Sequence, residues 1–188
     1  MEKNLEIEYK MLLTEEVFHQ LMNDFTGHTY NQTNYYLTSI ELGALRYSLR
    51  IREKEGYYEM TLKTPAANGR MEHNLEITKE DLIMIQNGQM PDNEITCLLR
   101  DKGFDLSLIK QSYSLTTIRR DVPFDSGMLS LDENHYNGIT DYELEFEVND
   151  EEAGLKQFKE LCETYHLQYK GNCASKIVRV LSNRVDKK

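Results

Sequence analysis

An α+β fold, with eight antiparallel strands closed into a β-barrel and helices flanking it, is predicted by three features of this sequence. Apolar and charged residues alternate strictly in segment after segment, as in strands with two unlike faces. Segments with helical spacing and N-cap residues fall between them. If helices cover the apolar faces and the strands close to remove their edges, the charged faces must converge on the inside of a barrel.

The first strand is expected over Leu5–Met11, where Leu5, Ile7, Tyr9 and Met11 oppose Glu6, Glu8 and Lys10. An extended Asn34–Thr38 follows, then Leu45–Arg52, with Arg46, Ser48, Arg50 and Arg52 on one face, and Tyr58–Lys63, with Glu59, Thr61 and Lys63. Residues 70–77 place Arg70, Glu72, Asn74 and Glu76 together. Ser112–Val122, Met128–Asp132 and Tyr142–Val148 complete eight strands, the last opposing Tyr142, Leu144, Phe146 and Val148 to Glu143, Glu145 and Glu147. Helices are expected from Thr14 to about Asp24, from Thr78, over Asn93–Lys102 and over Glu151–Tyr165. The apolar stripes Val17, Phe18, Leu21, Met22 and Leu155, Phe158, Leu161, Cys162 are expected to pack on the sheet.

No Pro/Gly/Ser-rich or low-complexity stretch divides the 188 residues, so one domain over 1–188 is expected. The start lacks a signal-peptide pattern, and no run of about 18 apolar residues could span a bilayer, so a cytoplasmic setting is expected. Cys97, Cys162 and Cys173 are odd in number and widely spaced, which indicates free thiols rather than disulfides or structural zinc. A net charge of −10 argues against nucleic acid and anionic membranes as partners. A phosphate site would have to be local and walled in. Monomer and dimer both stay open.

Closing the barrel would bring at least six acids, Glu6, Glu8, Glu72, Asp132, Glu143 and Glu145, together with at least six bases, Lys10, Arg50, Arg52, Lys63, Arg119 and Lys176. Unpaired buried charges cost several kcal/mol each, so such an interior must be hydrated, cross-paired or filled by a ligand of mixed demands. A metal-bound polyphosphate is such a ligand. Carboxylates offer hard oxygens to Mg²⁺ or Mn²⁺, and Arg and Lys neutralise phosphate oxygens.

The E-x-E-x-K of Glu6-Ile7-Glu8-Tyr9-Lys10 resembles the N-terminal signature of the CYTH superfamily of triphosphate tunnel metalloenzymes, which takes in class IV adenylate cyclases, thiamine triphosphatases and inorganic triphosphatases. Strand motifs similar to the family's follow in order: Tyr35-Tyr36, Leu49-Arg50-Ile51-Arg52, Thr61-Leu62-Lys63, Arg70-Met71-Glu72, Thr117-Ile118-Arg119, Leu131-Asp132, Glu143-Leu144-Glu145 and Ser175-Lys176. Leu37 departs from the pattern, where many members carry an aspartate.

The resemblance implies a tunnel with a small-molecule triphosphate along its axis. It assigns Arg50, Arg52, Lys63, Arg119 and Lys176 to phosphates, and Glu6, Glu8, Asp132, Glu143 and Glu145 to one or two Mg²⁺ or Mn²⁺ ions. Arg70 and Glu72 would form a supporting ion pair or outer-sphere contact, and Lys10, through Tyr36, would position or activate the attacking water, a task for which it would need a lowered pKa. Hydrolysis of inorganic triphosphate is the leading reaction, with thiamine triphosphate or a nucleoside triphosphate as variants. Adenylate cyclase chemistry and binding without turnover are the rivals. No Gly-rich phosphate loop or nucleophilic Ser/Cys constellation is present.

Overall fold

The computed structural model describes residues 1–67 and 69–183, and the side chains of all of these except residues 2–6. In chain order the elements are β1 (Glu2–Glu6), β2 (Glu8–Leu13), α1 (Glu15–Asp24), β3 (His28–Thr38), α2 (Ile40–Ala44), β4 (Ser48–Lys54), β5 (Tyr57–Pro65), β6 (Arg70–Ile77), α3 (Lys79–Gln86), α4 (Glu94–Asp101), a 3-10 turn (Leu106–Leu108), β7 (Lys110–Phe124), β8 (Gly127–Tyr136), β9 (Ile139–Val148), α5 (Glu151–Thr164) and α6 (Lys176–Ser182).

The strands form one sheet in the order β1-β6-β5-β4-β3-β7-β8-β9-β2. Every pairing whose register is described is antiparallel. Two sequence expectations are corrected here. Among the described residues there are nine strands rather than eight, and their order runs from β1 to β2 without returning on itself, so the sheet is not a closed ring of strand pairs. Both differences come from one place: the N-terminal segment breaks at Ile7, and its two pieces take opposite ends of the order.

The chain forms two compact units, Met1–Leu5 with Gln32–Leu115, and Glu6–Asn31 with Thr116–Lys188. The division falls within β3 and β7, each of which contributes residues to both units, and this is why no linker marks it in the sequence. In the first unit, Leu49 and Ile51 of β4 and Met60 and Leu62 of β5 are buried against Leu82 and Ile85 of α3 and Ile95 and Leu99 of α4. Thr78 and Asn93 cap α3 and α4 with reciprocal capping boxes to Asp81 and Thr96. In the second unit, Leu144 and Phe146 of β9 pack with Phe18 and Leu21 of α1 and Phe158 and Leu161 of α5. Phe158 lies 5.1 Å from Tyr9 of β2 in a stacked pair.

The strict alternation on β4, β5, β8 and β9 thus buries one face under helices and turns the acids and bases to the other. The helices predicted from Thr14, Thr78, Asn93 and Glu151 all form, capped by Thr14, Thr78, Asn93 and Asp150. Two departures matter for the charged face. Leu45 and Arg46 lie outside β4: Leu45 caps the short α2 and is exposed, and Arg46 has φ of 56°. Ser175-Lys176 opens a helix, not a strand, with Ser175 at the N-cap of α6. Among the described residues, no helix is long and apolar enough to cross a membrane. All three cysteines are free, with Cys162 buried and Cys97 and Cys173 half-buried.

Candidate functional site

The second unit gathers a dense cluster of charges. Asp132 of β8 stands opposite Glu143 of β9 and Arg119 of β7, and Lys10 of β2 stands opposite Glu145. One oxygen from each of Asp132, Glu143 and Glu145 lies within 4.8 Å of the others. Asp132 and Glu143 are fully buried. Into this group α6 projects Lys176, whose Nζ lies 2.8 Å from Asp132 Oδ2, 2.7 Å from Glu143 Oε2 and 2.7 Å from Glu145 Oε1.

Arg119 grips Asp132 with a two-pronged fork, Nε to Oδ1 at 2.7 Å and Nη2 to Oδ2 at 2.6 Å, and also donates to Glu145. Lys10 donates to Glu8 on its own strand. Behind the cluster, Arg179 donates from Nη2 to Glu143 Oε2 at 2.6 Å and from Nε to Asp141 Oδ2 at 2.9 Å. Asn134 donates to Asp141 at 3.0 Å and accepts from Thr117 at 2.7 Å.

Burial alone would neutralise these acids, and the surrounding cations decide the outcome. Desolvation pushes Asp132 up, but Arg119 and Lys176 together hold it below the usual carboxylate range. Glu145 is likewise driven up by burial, then held well below its ordinary value by Lys176, Arg119 and Lys10. Burial disfavours charge on Lys176, yet Asp132, Glu145 and Glu143 raise it. Lys10 follows the same pattern: burial lowers it, and Glu8, Glu145 and Glu143 more than compensate, leaving it raised. The lowered pKa that a general-base role for Lys10 requires is therefore not found here. It is a firmly held ammonium.

A divalent cation is implied by the resemblance, and the donor set fits one. Three carboxylates from adjacent strands offer hard oxygens close enough to share a single ion. Glu8 is described as the partner of Lys10, and the Glu6 side chain lies outside the described residues.

The first unit carries its own charged face on β3 to β6. Tyr36 pairs across to Arg50, Arg50 to Thr61, Thr61 to Asn74, and Lys63 to Glu72. Lys63 forms an ion pair with Glu72, and Arg50 approaches the same carboxylate at 4.0 Å. Burial raises Glu72, and Lys63 and Arg50 bring it below its ordinary value. Of the two roles the resemblance implies for Arg70 and Glu72, an ion pair or an outer-sphere contact, the ion pair is absent among the described residues. Arg70 donates instead to the backbone carbonyls of Arg46 at 2.7 Å and Lys63 at 3.4 Å, because the left-handed turn at Arg46 presents its carbonyl to the guanidinium. Arg52 donates to Asn34 at 3.3 Å.

The structure thus brings together Lys10, Arg119, Asp132, Glu143, Glu145 and Lys176 in one unit, and Tyr36, Arg50, Arg52, Lys63, Arg70 and Glu72 on the elements of the other. Sequence reasoning missed Arg179, Asp141 and Asn134 in the first of these clusters. The three-residue step from Lys176 to Arg179 was a usable sign, since it puts two cations on one face of a helix. Ser175-Lys176 hid it by resembling a family strand motif, because in a strand a three-residue step puts the two side chains on opposite faces.

Comparison with known proteins bears on the family and the fold. The sequence pattern of the CYTH domain matches residues 4–179. The Bacillus subtilis protein YjbK, named as a candidate triphosphatase, is 30% identical over 176 residues, covering 89% of this chain and 90% of that protein. A crystal structure from Bacillus halodurans, named as a candidate adenylate cyclase, superimposes with a TM-score of 0.88 at 33% identity, covering 95% of this chain and 98% of that one. HpAC1 from Hippeastrum, described as having a dominant triphosphatase activity, superimposes with a TM-score of 0.75, covering 96% and 97%. At 21% identity its likeness speaks for the fold alone. With the order of its motifs, its antiparallel sheet and a match over nearly its whole length, this chain belongs to the CYTH domain family.

Proposed function

We propose that this protein is a metal-dependent triphosphatase that hydrolyses a linear triphosphate, inorganic triphosphate before thiamine triphosphate or a nucleoside triphosphate, in a cytoplasmic setting. The observation that carries this reading is the cluster of Asp132, Glu143 and Glu145 laced with Lys176 and Arg119. An anion binder has use for the cations and none for the buried acids. A site for a metal–phosphate complex has use for both. The name of the 30% identical YjbK points the same way.

Asp132, Glu143 and Glu145, with Glu8 and Glu6 as further donors, would hold Mg²⁺ or Mn²⁺, which when bound supplies charge neutralisation and polarises phosphate oxygens. Arg119 and Lys176 would exchange part of their carboxylate contacts for phosphate oxygens, and Arg50, Arg52 and Lys63 would bind phosphate as well. Phosphoryl transfer needs mainly positioning and charge stabilisation. Lys10, held cationic by Glu8, would orient the attacking water or steady a phosphate oxygen rather than remove a proton. Arg70 would support the Lys63 backbone that it contacts.

The test is phosphate release by the purified protein from inorganic triphosphate, thiamine triphosphate and ATP, with Mg²⁺, with Mn²⁺ and with chelator. Metal-dependent release of phosphate from inorganic triphosphate is expected. Cyclic AMP from ATP would replace this reading by the cyclase one, for which the name of the 33% identical Bacillus halodurans protein speaks. Tight binding with no turnover of any substrate would leave a binding module.

A further inference from the structure

The two units satisfy their buried polar groups very differently. Among the described residues, every buried side-chain nitrogen or oxygen that lacks a hydrogen-bond partner belongs to the first unit. The charges of the second unit are matched to one another, whereas those of the first leave bonding capacity unused. Most of the unmatched atoms lie on one face of β3 to β6: Nε2 and Oε1 of Gln32, Nδ2 of Asn34, Nε of Arg50 and Oδ1 of Asn74.

Gln32 and Asn34 are only 2% and 0% exposed. They alternate on β3, so their side chains leave the same face, and Asn34 stands opposite Arg52, to which its Oδ1 is already committed. Buried carboxamides are costly unless bonded, and nearly all in folded proteins are. Because both polar atoms of Gln32 lack partners, either orientation of its amide leaves one donor and one acceptor unused.

The chemistry of a matching guest follows from this list. Gln32 Nε2, Asn34 Nδ2 and Arg50 Nε call for acceptors, which phosphate oxygens supply. Gln32 Oε1 and Asn74 Oδ1 call for a donor, which a fully ionised phosphate lacks. We propose that Gln32 and Asn34 form a carboxamide subsite that binds a phosphoryl group together with a hydroxyl hydrogen, and so help select the substrate. That hydrogen belongs either to a protonated phosphate or to a hydroxyl of an attached organic group. This proposal rests on the triphosphate reading above and adds residues that no part of the family signature contains.

The test replaces Gln32 by methionine, which keeps the length and removes both polar atoms, and makes two measurements on the full chain. In the unliganded protein, Gln32→Met removes an unmet demand, so its thermal midpoint should rise by roughly 2–4 °C. In calorimetric titrations with inorganic triphosphate and with ATP, each with Mg²⁺ and with chelator, its affinity should fall at least about tenfold. Loss with both ligands is expected, because each offers a phosphoryl oxygen to Nε2; equal losses assign the hydrogen to phosphate, a larger loss with ATP assigns it to the organic part, and loss with ATP alone overturns the phosphoryl contact. A variant that melts lower or fails to fold, or that binds as the parent does, overturns the proposal by making Gln32 a structural residue. A parent protein that binds neither ligand in either condition sinks the triphosphate reading itself, and the subsite with it.

Discussion

Arg179 and Lys176, one turn apart on α6, meet the same carboxylate oxygen: Nη2 of the first and Nζ of the second lie 2.6 and 2.7 Å from Oε2 of the fully buried Glu143. One short helix therefore supplies two of the cations that let Glu143 stay buried. Removing one partner of a buried pair typically costs about 3–5 kcal/mol, because it strands the other charge. Arg179→Ala should lose stability on that scale in urea denaturation, and Arg179→Lys should recover part of it. A loss within about 0.5 kcal/mol would mean that Arg179 is a bystander.

The acids of the cluster make stability depend on pH in a fixed direction. Asp132 and Glu145 are depressed below their unfolded values of about 4. The unfolded chain therefore takes up protons first as pH falls. The stabilisation is complete above about pH 4.5 and drains away as pH drops from there through the folded-state values. Urea midpoints measured from pH 7 to pH 3 should fall steeply at the acid end for the parent and less steeply for Glu145→Gln. Parallel curves would show that Glu145 contributes nothing to the acid limb.

Arg119 binds Asp132 through two parallel bonds, a geometry that lysine cannot copy. Arg119→Lys keeps the charge and should still fold, yet metal-dependent phosphate release should drop at least about tenfold, the worth of one charged hydrogen bond. Steady-state kinetics check this. An unchanged kcat/KM would remove Arg119 from the phosphate-binding set.

Gly127 offers a test of the backbone framework that holds the acids. A Cβ placed there would sit 2.0 Å from the carbonyl oxygen of Glu147 and 2.9 Å from Val148 Cα, both backbone atoms of the paired β9. Gly127→Ala must push β8 from β9 at Glu147 and Val148, three pairs along the ladder from Glu145, and a loss of about 1–3 kcal/mol is expected. Thermal or urea unfolding reads it directly, and a neutral result would show that this end of the hairpin relaxes freely.

Much of the fold was legible in the sequence because alternation on β4, β5, β8 and β9 is dictated by burial on one face only, and a register slip would expose Leu144 and Phe146. The acids Asp132, Glu143 and Glu145 were legible for the same reason, since each alternates along its strand with the core residues Leu131, Leu144 or Phe146. The break at Ile7 was not, because Leu5 to Met11 alternates straight through it and only the partners on either side reveal two strands. Arg46 misled because its alternation continues that of Arg50 and Arg52, while its backbone turns left-handed before β4 begins. Gln32 and Asn34 carry no charge, so nothing in a search for ionised faces pointed to them.

The second unit draws its chain from both sides of the first unit's long segment, Gln32–Leu115, with β2 paired to β9 and the acid cluster completed by Lys176. During synthesis from the N-terminus, β2 must therefore wait until β9 has emerged before its partner exists. The first unit has all its residues by Leu115, whereas the charged cluster cannot assemble until α6 has been made. A ribosome that stalls or a message that is cut short before α6 thus releases fragments without this cluster, and a charge-matched site is itself a sign that synthesis has passed Arg179.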